Sequence, residues 1–408
     1  MSNQFEGVAI QEGNPKWEES IQRQGELYHR KDDVRSPFAR DYNRILHSNA
    51  YRRLKHKTQV FFAPRNDHIC TRIEHVNHVS AVSYTITKHL GLNTELAMAI
   101  ATGHDVGHAP FGHFGETVIK EMASGDLEET FWHERNSLRF VDRCETLTGP
   151  DGSENNLNLT YAVRDGIISH CGEVDYRSIS PREEDIDLET IEKANQYPPY
   201  TWEGCVVKVA DKIAYLGRDI EDAMDLKILT QNQMGKLNKI VEPNIGQRIT
   251  EINNTAIMHN FVIDICSNSS PQTGIRMTRQ NFNFIKELRE FSNEYIYRHE
   301  RLYLYKDYAR MIIESIYTTL KNTFNGERTM EEIESRYLNI FPTLAGDFIG
   351  WLKKHAKDSN GFKRDAKYKS IPIYNLSKEE DYLQAIIDFI SGMTDIYAIR
   401  IFGELTSF

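Results

Sequence analysis

The chain has 408 residues, of which 40% are hydrophobic and 26% are charged, and its formal net charge is −10. These values are typical of a globular protein with a large core, and the acidic balance argues against binding nucleic acid over the whole surface. No apolar run approaches the roughly 18 residues of a membrane helix. Five cysteines without CxxC spacing argue against a disulfide scaffold, and the N-terminus shows no signal-peptide pattern, so a cytoplasmic location is expected.

The first clear element in chain order is an amphipathic helix. Apolar residues recur every three or four positions over 76–90, which predicts a helix that begins at or just before His75. Gly91 is expected to close it, because glycine adopts the left-handed conformation that often ends a helix.

The next helix is apolar on all sides over 96–102, which predicts a central position in the fold. Asn93 or Thr94 is expected to cap its N-terminus. The helix must end by Ala109, because the residue before a proline is disfavoured in the helical region.

The rest of the chain is also mainly helical in pattern. Further helices are predicted at 127–145, 156–171, 204–227, 281–298, 305–323, 329–339 and 380–399. Breaks are expected at 148–155, 174–200 and 267–280, and the best strand signal is Lys369–Tyr374. The fold class that follows is mostly α with a few short strands.

His104-Asp105 stands at the end of the apolar helix, where the chain is otherwise suited to burial. A buried carboxylate without a partner is costly, so a divalent cation is the natural partner. His75 on the preceding helix is the expected third ligand, and Asp211, surrounded by apolar residues, is the expected fourth. Imidazole and carboxylate donors suit several divalent ions and leave positions for water or phosphate oxygens.

The order His75, His104-Asp105, Asp211 resembles the HD superfamily of metal-dependent phosphohydrolases. A narrower resemblance, to the dGTPase-like deoxynucleoside triphosphate triphosphohydrolases, rests on the segments 43–48, 52–61, 71–75, 104–113 and 211–219. The resemblance implies an HD-domain helical phosphohydrolase fold. It divides the chain into an N-terminal helical segment (1–65), a metal-binding catalytic core (66–230) and a mainly helical C-terminal portion (231–408), packed as one compact unit.

The resemblance also implies an activity. Water attacks the α-phosphorus of dGTP or of several dNTPs and releases a deoxynucleoside and intact triphosphate. Mg²⁺ or Mn²⁺ is the expected cofactor, with Fe, Co, Zn and Ni as compatible alternatives.

Two groups of residues are expected to bind the nucleotide. Arg72 and Lys212 are predicted to contact the phosphates. Tyr215 and Asp219 share one helix face with Asp211 at spacings of four residues. In the family the matching tyrosine leaves no room for a 2′-hydroxyl, the matching aspartate accepts a hydrogen bond from the 3′-hydroxyl, and the glutamine that corresponds to Gln59 approaches the sugar.

Proton transfer is assigned to His108, His133 and Glu134. A histidine beside a carboxylate is a suitable proton carrier near neutral pH. Which histidine acts as base and which as acid stays open, and His113 and His170 are weaker candidates. Glu134 stands where many relatives carry Asn and some carry Glu.

Two other functions stay open. The first is another HD hydrolase, such as a nucleotidase, a phosphodiesterase or a guanosine-tetraphosphate hydrolase; the second is a nucleotide sensor or single-strand-binding protein on an inactive HD scaffold. Expected partners are the dNTP substrate, an activating nucleotide at a second site, further copies of the chain in a dimer or hexamer, and single-stranded nucleic acid as an additional ligand; no membrane is expected. The basic residues at 353–357 and 363–369 are interpreted as a solvated face or as such a second site.

Overall fold

A computed structural model of the protein describes residues 4–28, 32–62, 66–171, 177–245, 254–359 and 362–407. The helices of the first half are α1 Trp17–Ile21, α2 Pro37–His47, α3 Asn49–Arg53, α4 Arg72–Leu90, α5 Thr94–Gly103, α6 Gly112–Asp126, α7 His133–Arg139, α8 Tyr161–Ser169 and α9 Trp202–Asp225. Those of the second half are α10 Gln231–Ile245, α11 Asn254–Asn268, α12 Arg279–Tyr295, α13 Glu300–Lys321, α14 Thr329–Glu332, α15 Leu338–Ile340, α16 Pro342–His355, α17 Glu379–Ser391 and α18 Asp395–Thr406.

The strands are short. Strand β1 (Thr146–Thr148) pairs antiparallel with β2 (Glu154–Asn156), and β3 (Ser178–Ile179) pairs antiparallel with β4 (Ile275–Arg276). Short 3-10 turns and two π segments complete the regular structure of the described residues. The expectation of a mostly α fold with a few short strands is therefore confirmed.

Helices α4 and α5 form as their sequences predict. Helix α4 begins three residues before His75, where the backbone N–H of Thr71 donates to Glu74 Oε2 at 2.8 Å in a capping box, and it ends at Gly91 with φ of 81°. The side chain of Asn93 caps α5 by accepting from the Leu96 N–H at 3.1 Å. Helix α5 packs against α2, α4, α8 and α9, so its predicted central position is confirmed.

The structure corrects the prediction of one helix at 127–145. Residues 112–126 form α6, where no helix was predicted. Helix α7 begins only at His133 and continues into a π segment over Phe140–Cys144. Phe111, with φ of 65°, lies in the left-handed region and redirects the chain into α6. A left-handed non-glycine residue has no clear sequence signal, because its energy cost is met by tertiary contacts.

Two further predictions in the C-terminal portion are wrong. The helix expected at 380–399 is interrupted between Ser391 and Asp395, so α17 and α18 are separate. Lys369–Tyr374 forms no named strand. Pro372 lacks an N–H, and the backbone N–H groups of Lys369 and Ser370 both go to the carbonyl of Glu154 rather than into a ladder.

Two apolar clusters form the core. The first joins buried residues from Phe5 to Leu302, and the second joins residues 109–131 with the C-terminal residues 309–401. The C-terminal helices therefore pack on α6, next to the segment 104–111 that contains His104 and Asp105. The division of the chain at 65 and 230 stays a prediction.

The basic residues at 353–369 are largely engaged with the chain itself. Lys353 pairs with Glu334, Lys354 with Glu154 and Lys367 with Asp365. Arg364 donates to two carbonyl oxygens and to the Ser370 hydroxyl. Whether this face binds a second ligand stays a prediction. Across the described residues, no helix combines the length and apolar character needed to cross a bilayer.

Candidate active site

Three helices bring the predicted ligands together. His75 Nε2 from α4 lies 3.0 Å from Asp211 Oδ1 on α9. His104 follows the last turn of α5, and its Nε2 lies 3.5 Å from Asp105 Oδ1 and 3.8 Å from Asp211 Oδ1. His75, His104 and Asp211 form a group whose ligand atoms all lie within 4.8 Å of one another. Residues 29 to 136 positions apart thus meet at one point.

This donor set fits a divalent cation. His104 is fully buried, and its Nδ1–H donates to the Ala101 carbonyl at 2.7 Å, so that in the neutral imidazole Nε2 is the acceptor nitrogen and is directed at the cluster. Among the described residues Nε2 makes no hydrogen bond. A buried imidazole acceptor without a donor, facing two carboxylates, is the pattern that a bound metal ion would complete.

Asp105 is held from the other side by Arg72. The Arg72 Nη1 donates to Asp105 Oδ2 at 2.8 Å, and Nε donates to the Thr58 carbonyl at 3.2 Å. Arg72 is only 2% exposed, yet its Nη2 makes no hydrogen bond within the described part of the chain. This nitrogen is therefore a buried cationic donor that remains available to an anion.

A cavity of about 560 Å³ opens above the cluster. Its size lies within the roughly 300–1,000 Å³ that is usual for small-ligand sites. All predicted site residues except His104 and Lys212 are among the described residues that line it. His104 is fully buried and does not line the cavity, although its neighbours Asp105 and Asp211 do. Lys212 is buried on α9 beside Asp211, but it does not border the cavity.

The predicted proton-transfer residues form a compact stack at one wall. The rings of His108 and His133 lie 3.9 Å apart and nearly parallel. His108 Nε2 lies 3.4 Å from Asp105 Oδ1, and His133 Nδ1 lies 3.5 Å from Glu134 Oε2. Gly107 permits this packing, since a Cβ there would lie 2.1 Å from the Ser137 backbone nitrogen.

Glu116 on α6 completes this wall, although it was not among the predicted site residues. His133 Nδ1 lies 3.2 Å from both Glu116 carboxylate oxygens, and the His133 backbone N–H donates to Oε1 at 3.0 Å. The only sequence signal was the i, i+3 spacing with His113, whose Nδ1 lies 3.4 Å from Glu116 Oε2. His113 itself is 65% exposed at the side chain.

The electrostatics separate the two stacked histidines. Burial disfavours a charged His133, but the carboxylates of Glu134 and Glu116 outweigh it and raise the pKa of His133 to about 10. Burial and the nearby Arg72 lower the pKa of His108 well below its usual value. Burial also lowers the pKa of His170 to about 4; its Nδ1–H donates to the Ile167 carbonyl at 2.6 Å. His133 is thus the charged member of the group.

Another part of the cavity lining carries the predicted sugar contacts. Tyr215 and Asp219 both border the cavity, as their shared helix face predicts. Asp219 accepts a hydrogen bond from the Tyr297 hydroxyl at 2.6 Å, and burial raises the pKa of Asp219 to about 6. Gln59 faces the same space, and its buried Oε1 makes no hydrogen bond among the described residues.

Four described residues of the C-terminal portion line the cavity without having been predicted as site residues: one is Leu302 on α13, and the other three are polar. Arg289 and Asn293 come from α12, and Tyr297 follows it. They lie at i, i+4 and i+8, the same face spacing that marked Asp211, Tyr215 and Asp219. No acidic or histidine-rich motif accompanies Arg289 and Asn293, so their pattern is indistinguishable from an ordinary helix face.

The comparisons with known proteins agree with this architecture. The HD domain family matches residues 72–216. A deoxyguanosinetriphosphate triphosphohydrolase-like protein of Caldanaerobacter subterraneus subsp. tengcongensis is 35% identical over 376 residues, which cover 92% of this chain and 86% of that protein. The chain belongs to the deoxyguanosinetriphosphate triphosphohydrolase-like family of HD-domain proteins.

Other members of this family are similarly related. The protein of the same description from Clostridium tetani is 31% identical over 92% of this chain and 87% of its own length. The one from Desulfatibacillum aliphaticivorans is 40% identical over 65% of this chain and 68% of its own length. The chain is therefore an HD-superfamily phosphohydrolase, and its His/Asp cluster can hold the divalent metal ion that HD domains bind.

Proposed function

We propose that this chain hydrolyses 2′-deoxynucleoside triphosphates to a deoxynucleoside and inorganic triphosphate. The oxygen of a water molecule forms a bond to the α-phosphorus, the bond from that phosphorus to O5′ breaks, and O5′ takes up a proton. The names of the family members, which refer to deoxyguanosinetriphosphate, support this substrate class.

The observation that carries the proposal is the combination, at one cavity, of a His/Asp cluster and a buried Arg72 Nη2 that makes no hydrogen bond to any described residue. His75, His104, Asp105 and Asp211 are the proposed ligands of Mg²⁺ or Mn²⁺. When bound, such an ion supplies Lewis-acid activation of the phosphoryl group and lowers the pKa of water. A cationic donor beside those ligands suits the α-phosphate, because a triphosphate brings several negative charges into a buried site.

The sugar end of the substrate is assigned to the part of the cavity lined by Tyr215, Asp219 and Gln59. Tyr215, one helical turn beyond Asp211, restricts the space at the 2′ position, and Asp219 with Tyr297 offers a hydrogen-bonding pair for the 3′-hydroxyl. Gln59 Oε1, which makes no hydrogen bond among the described residues, provides a further acceptor at this end. A wall that excludes by volume rejects ribose without needing a specific polar contact.

Proton transfer is assigned to the stack of His108 and His133. His133, held between Glu116 and Glu134, is the proposed proton donor to the leaving O5′. His108, beside Asp105, is the proposed acceptor for the proton of the attacking water. This division follows from their surroundings. At His133 two carboxylates outweigh burial and favour an imidazolium, whereas at His108 burial, Arg72 and His133 outweigh Asp105 and disfavour one.

Product analysis tests the proposal. Purified protein is incubated with each dNTP and with GTP, singly and mixed, with Mg²⁺ or Mn²⁺, and the products are separated by anion exchange. Deoxynucleoside with intact triphosphate is the expected result and also ranks the bases. Turnover in the mixture alone would identify an activating nucleotide. Monophosphate with pyrophosphate, or no turnover under any condition, would refute the proposed reaction and favour another HD hydrolase or a binding protein.

A further inference from the structure

A buried aspartate of the C-terminal helix α18 ties two parts of the candidate active site together. Asp395 is 1% exposed, and its carboxylate accepts hydrogen bonds from two backbone N–H groups. Thr58 N donates to Oδ2 at 2.9 Å, and Phe111 N donates to Oδ1 at 2.8 Å. Each oxygen thus holds one segment that lies hundreds of residues earlier in the chain.

Both segments carry groups of the site. The Thr58 carbonyl accepts from Arg72 Nε, and the Lys57 carbonyl accepts from the Arg72 backbone N–H at 3.0 Å. Phe111 lies between His108 and the start of α6, which carries Glu116. Because Phe111 adopts the left-handed conformation, the turn needs an outside contact to hold it.

Lys57 forms a second link between the active-site segments and the C-terminal helices. It is 1% exposed, and its Nζ donates to the His108 carbonyl and, at 2.9 Å, to the Ser391 carbonyl at the end of α17. The ammonium group therefore joins the His108 loop to the C-terminal helices, as Asp395 does from α18. Both side chains are buried and bond to backbone groups of distant segments, which fixes those groups in place.

We propose that Asp395 and Lys57 are positioning residues for hydrolysis. They fix the positions of the His108 loop and of the backbone that supports Arg72 relative to the proposed metal ligands. The C-terminal helices are therefore part of the catalytic unit. The kinetic part of this inference rests on the proposed function, whereas the structural tie does not.

The chain offers a matched control on the same helix. Glu404 also accepts two backbone N–H bonds, from Thr343 at 2.8 Å and Leu344 at 2.9 Å at the start of α16. Neither partner borders the cavity. Glu404→Gln therefore removes the same kind of bond from α18 as Asp395→Asn does, because an amide oxygen can accept but an amide nitrogen cannot.

The experiment compares Asp395→Asn, Glu404→Gln and wild type in full-length protein with Mg²⁺ or Mn²⁺. kcat and KM for the preferred dNTP are measured together with urea unfolding and hydrogen–deuterium exchange of a peptide covering residues 108–117. Asp395→Asn is expected to lower kcat about 10- to 100-fold, since displacements of about 1 Å have effects of that size. Exchange at 108–117 should rise in this variant alone, and Glu404→Gln should keep kcat within about twofold of wild type.

If Asp395→Asn has the same kcat and the same exchange as wild type, the proposal is overturned. Equal losses of kcat in Asp395→Asn and Glu404→Gln would also overturn it, because they would indicate a general effect on stability. If Asp395→Asn does not fold, Lys57→Met takes its place. This substitution keeps an unbranched side chain, one heavy atom shorter, and removes the donor to the His108 carbonyl. Unchanged kcat and exchange in Lys57→Met would equally overturn the proposal. If wild type hydrolyses no dNTP, the proposed function fails, but the exchange comparison still decides whether the tie exists.

Discussion

The guanidinium of Arg72 is bonded to Asp105 at 2.8 Å while a second terminal nitrogen of the same group has no hydrogen-bond partner among the described residues. One side chain therefore both orients a proposed metal ligand and presents a donor to the cavity. Its planar fork makes this double role available, because the donors point in fixed, divergent directions.

Replacing Arg72 with Lys should separate charge from geometry. The ammonium keeps the positive charge but cannot reach Thr58, Asp105 and a phosphate at the same time, so kcat/KM for dNTP should fall about 100-fold. Steady-state kinetics measure the loss. Arg143→Lys, whose arginine pairs with Glu189 away from the cavity, is the control and should retain activity; a comparable loss in both variants would contradict the role of Arg72.

Removing a proposed metal ligand should remove both metal and activity. Asp211→Ala or His104→Ala is expected to abolish hydrolysis and to reduce the metal retained after dialysis, as measured by inductively coupled plasma mass spectrometry. Asp225→Ala, which removes an exposed carboxylate at the end of the same helix α9, should change neither. Full activity in Asp211→Ala or His104→Ala would exclude this cluster as the metal site.

Replacing Tyr215 with Ala should relax the selection of deoxyribose. The substitution opens space beside the proposed 2′ position, so the ratio of kcat/KM for dGTP over GTP should fall by about tenfold or more. The ratio is measured in competition assays with both nucleotides present. If GTP is rejected as strongly as by wild type, Tyr215 does not act as the steric barrier.

Glu116 and His133 should behave as one unit. Glu116→Gln removes a carboxylate that holds the His133 imidazole, and kcat should fall about 10- to 100-fold with little change in KM. Combining it with His133→Ala should add little further loss, because residues that act together are not additive. Glu121→Gln, an exposed glutamate of the same helix that pairs with Arg310, is the control; additive losses would refute the pairing.

Glu203 should make stability depend on pH. Burial raises its pKa from 4.5 to about 7, although its Oε1 accepts from the Ile10 and Asn93 N–H groups. Between about pH 4.5 and pH 7 the folded state keeps a proton on Glu203 that the unfolded state has lost. The stabilisation from this group is therefore complete below about pH 4.5, declines up to about pH 7 and is absent at higher pH. The full effect is on the order of 3 kcal/mol.

Glu203→Gln isolates this contribution, because glutamine keeps the acceptor oxygen without the charge. The free energy of unfolding is measured by urea denaturation for the variant and for wild type at pH 5 and at pH 8. The variant's value minus the wild-type value should be larger at pH 8 than at pH 5. An equal difference at both pH values would show that Glu203 does not titrate in this range.

Much of the fold was predictable because its signals are local. The capping groups around α4 and α5, the closing Gly91 and the length of α9 depend on residues within a few positions of one another. The proposed ligands were also recognisable, since His104-Asp105 and Asp211 stand out as polar residues in apolar helices. Such patterns indicate the chemistry of a site before its geometry is known.

The sequence by itself determined the helical class and the types of residue available to a metal and a triphosphate. Only the tertiary structure decided that Glu116 meets His133, that α12 lends Arg289 to the cavity, and that Asp395 holds Phe111 from 284 residues away. These contacts arise when α6 buries apolar surface against α13 and α17, and when α12 packs on α9. That burial depends on long-range packing, and a lone carboxylate on a helix gives no local sign of the partner it will meet.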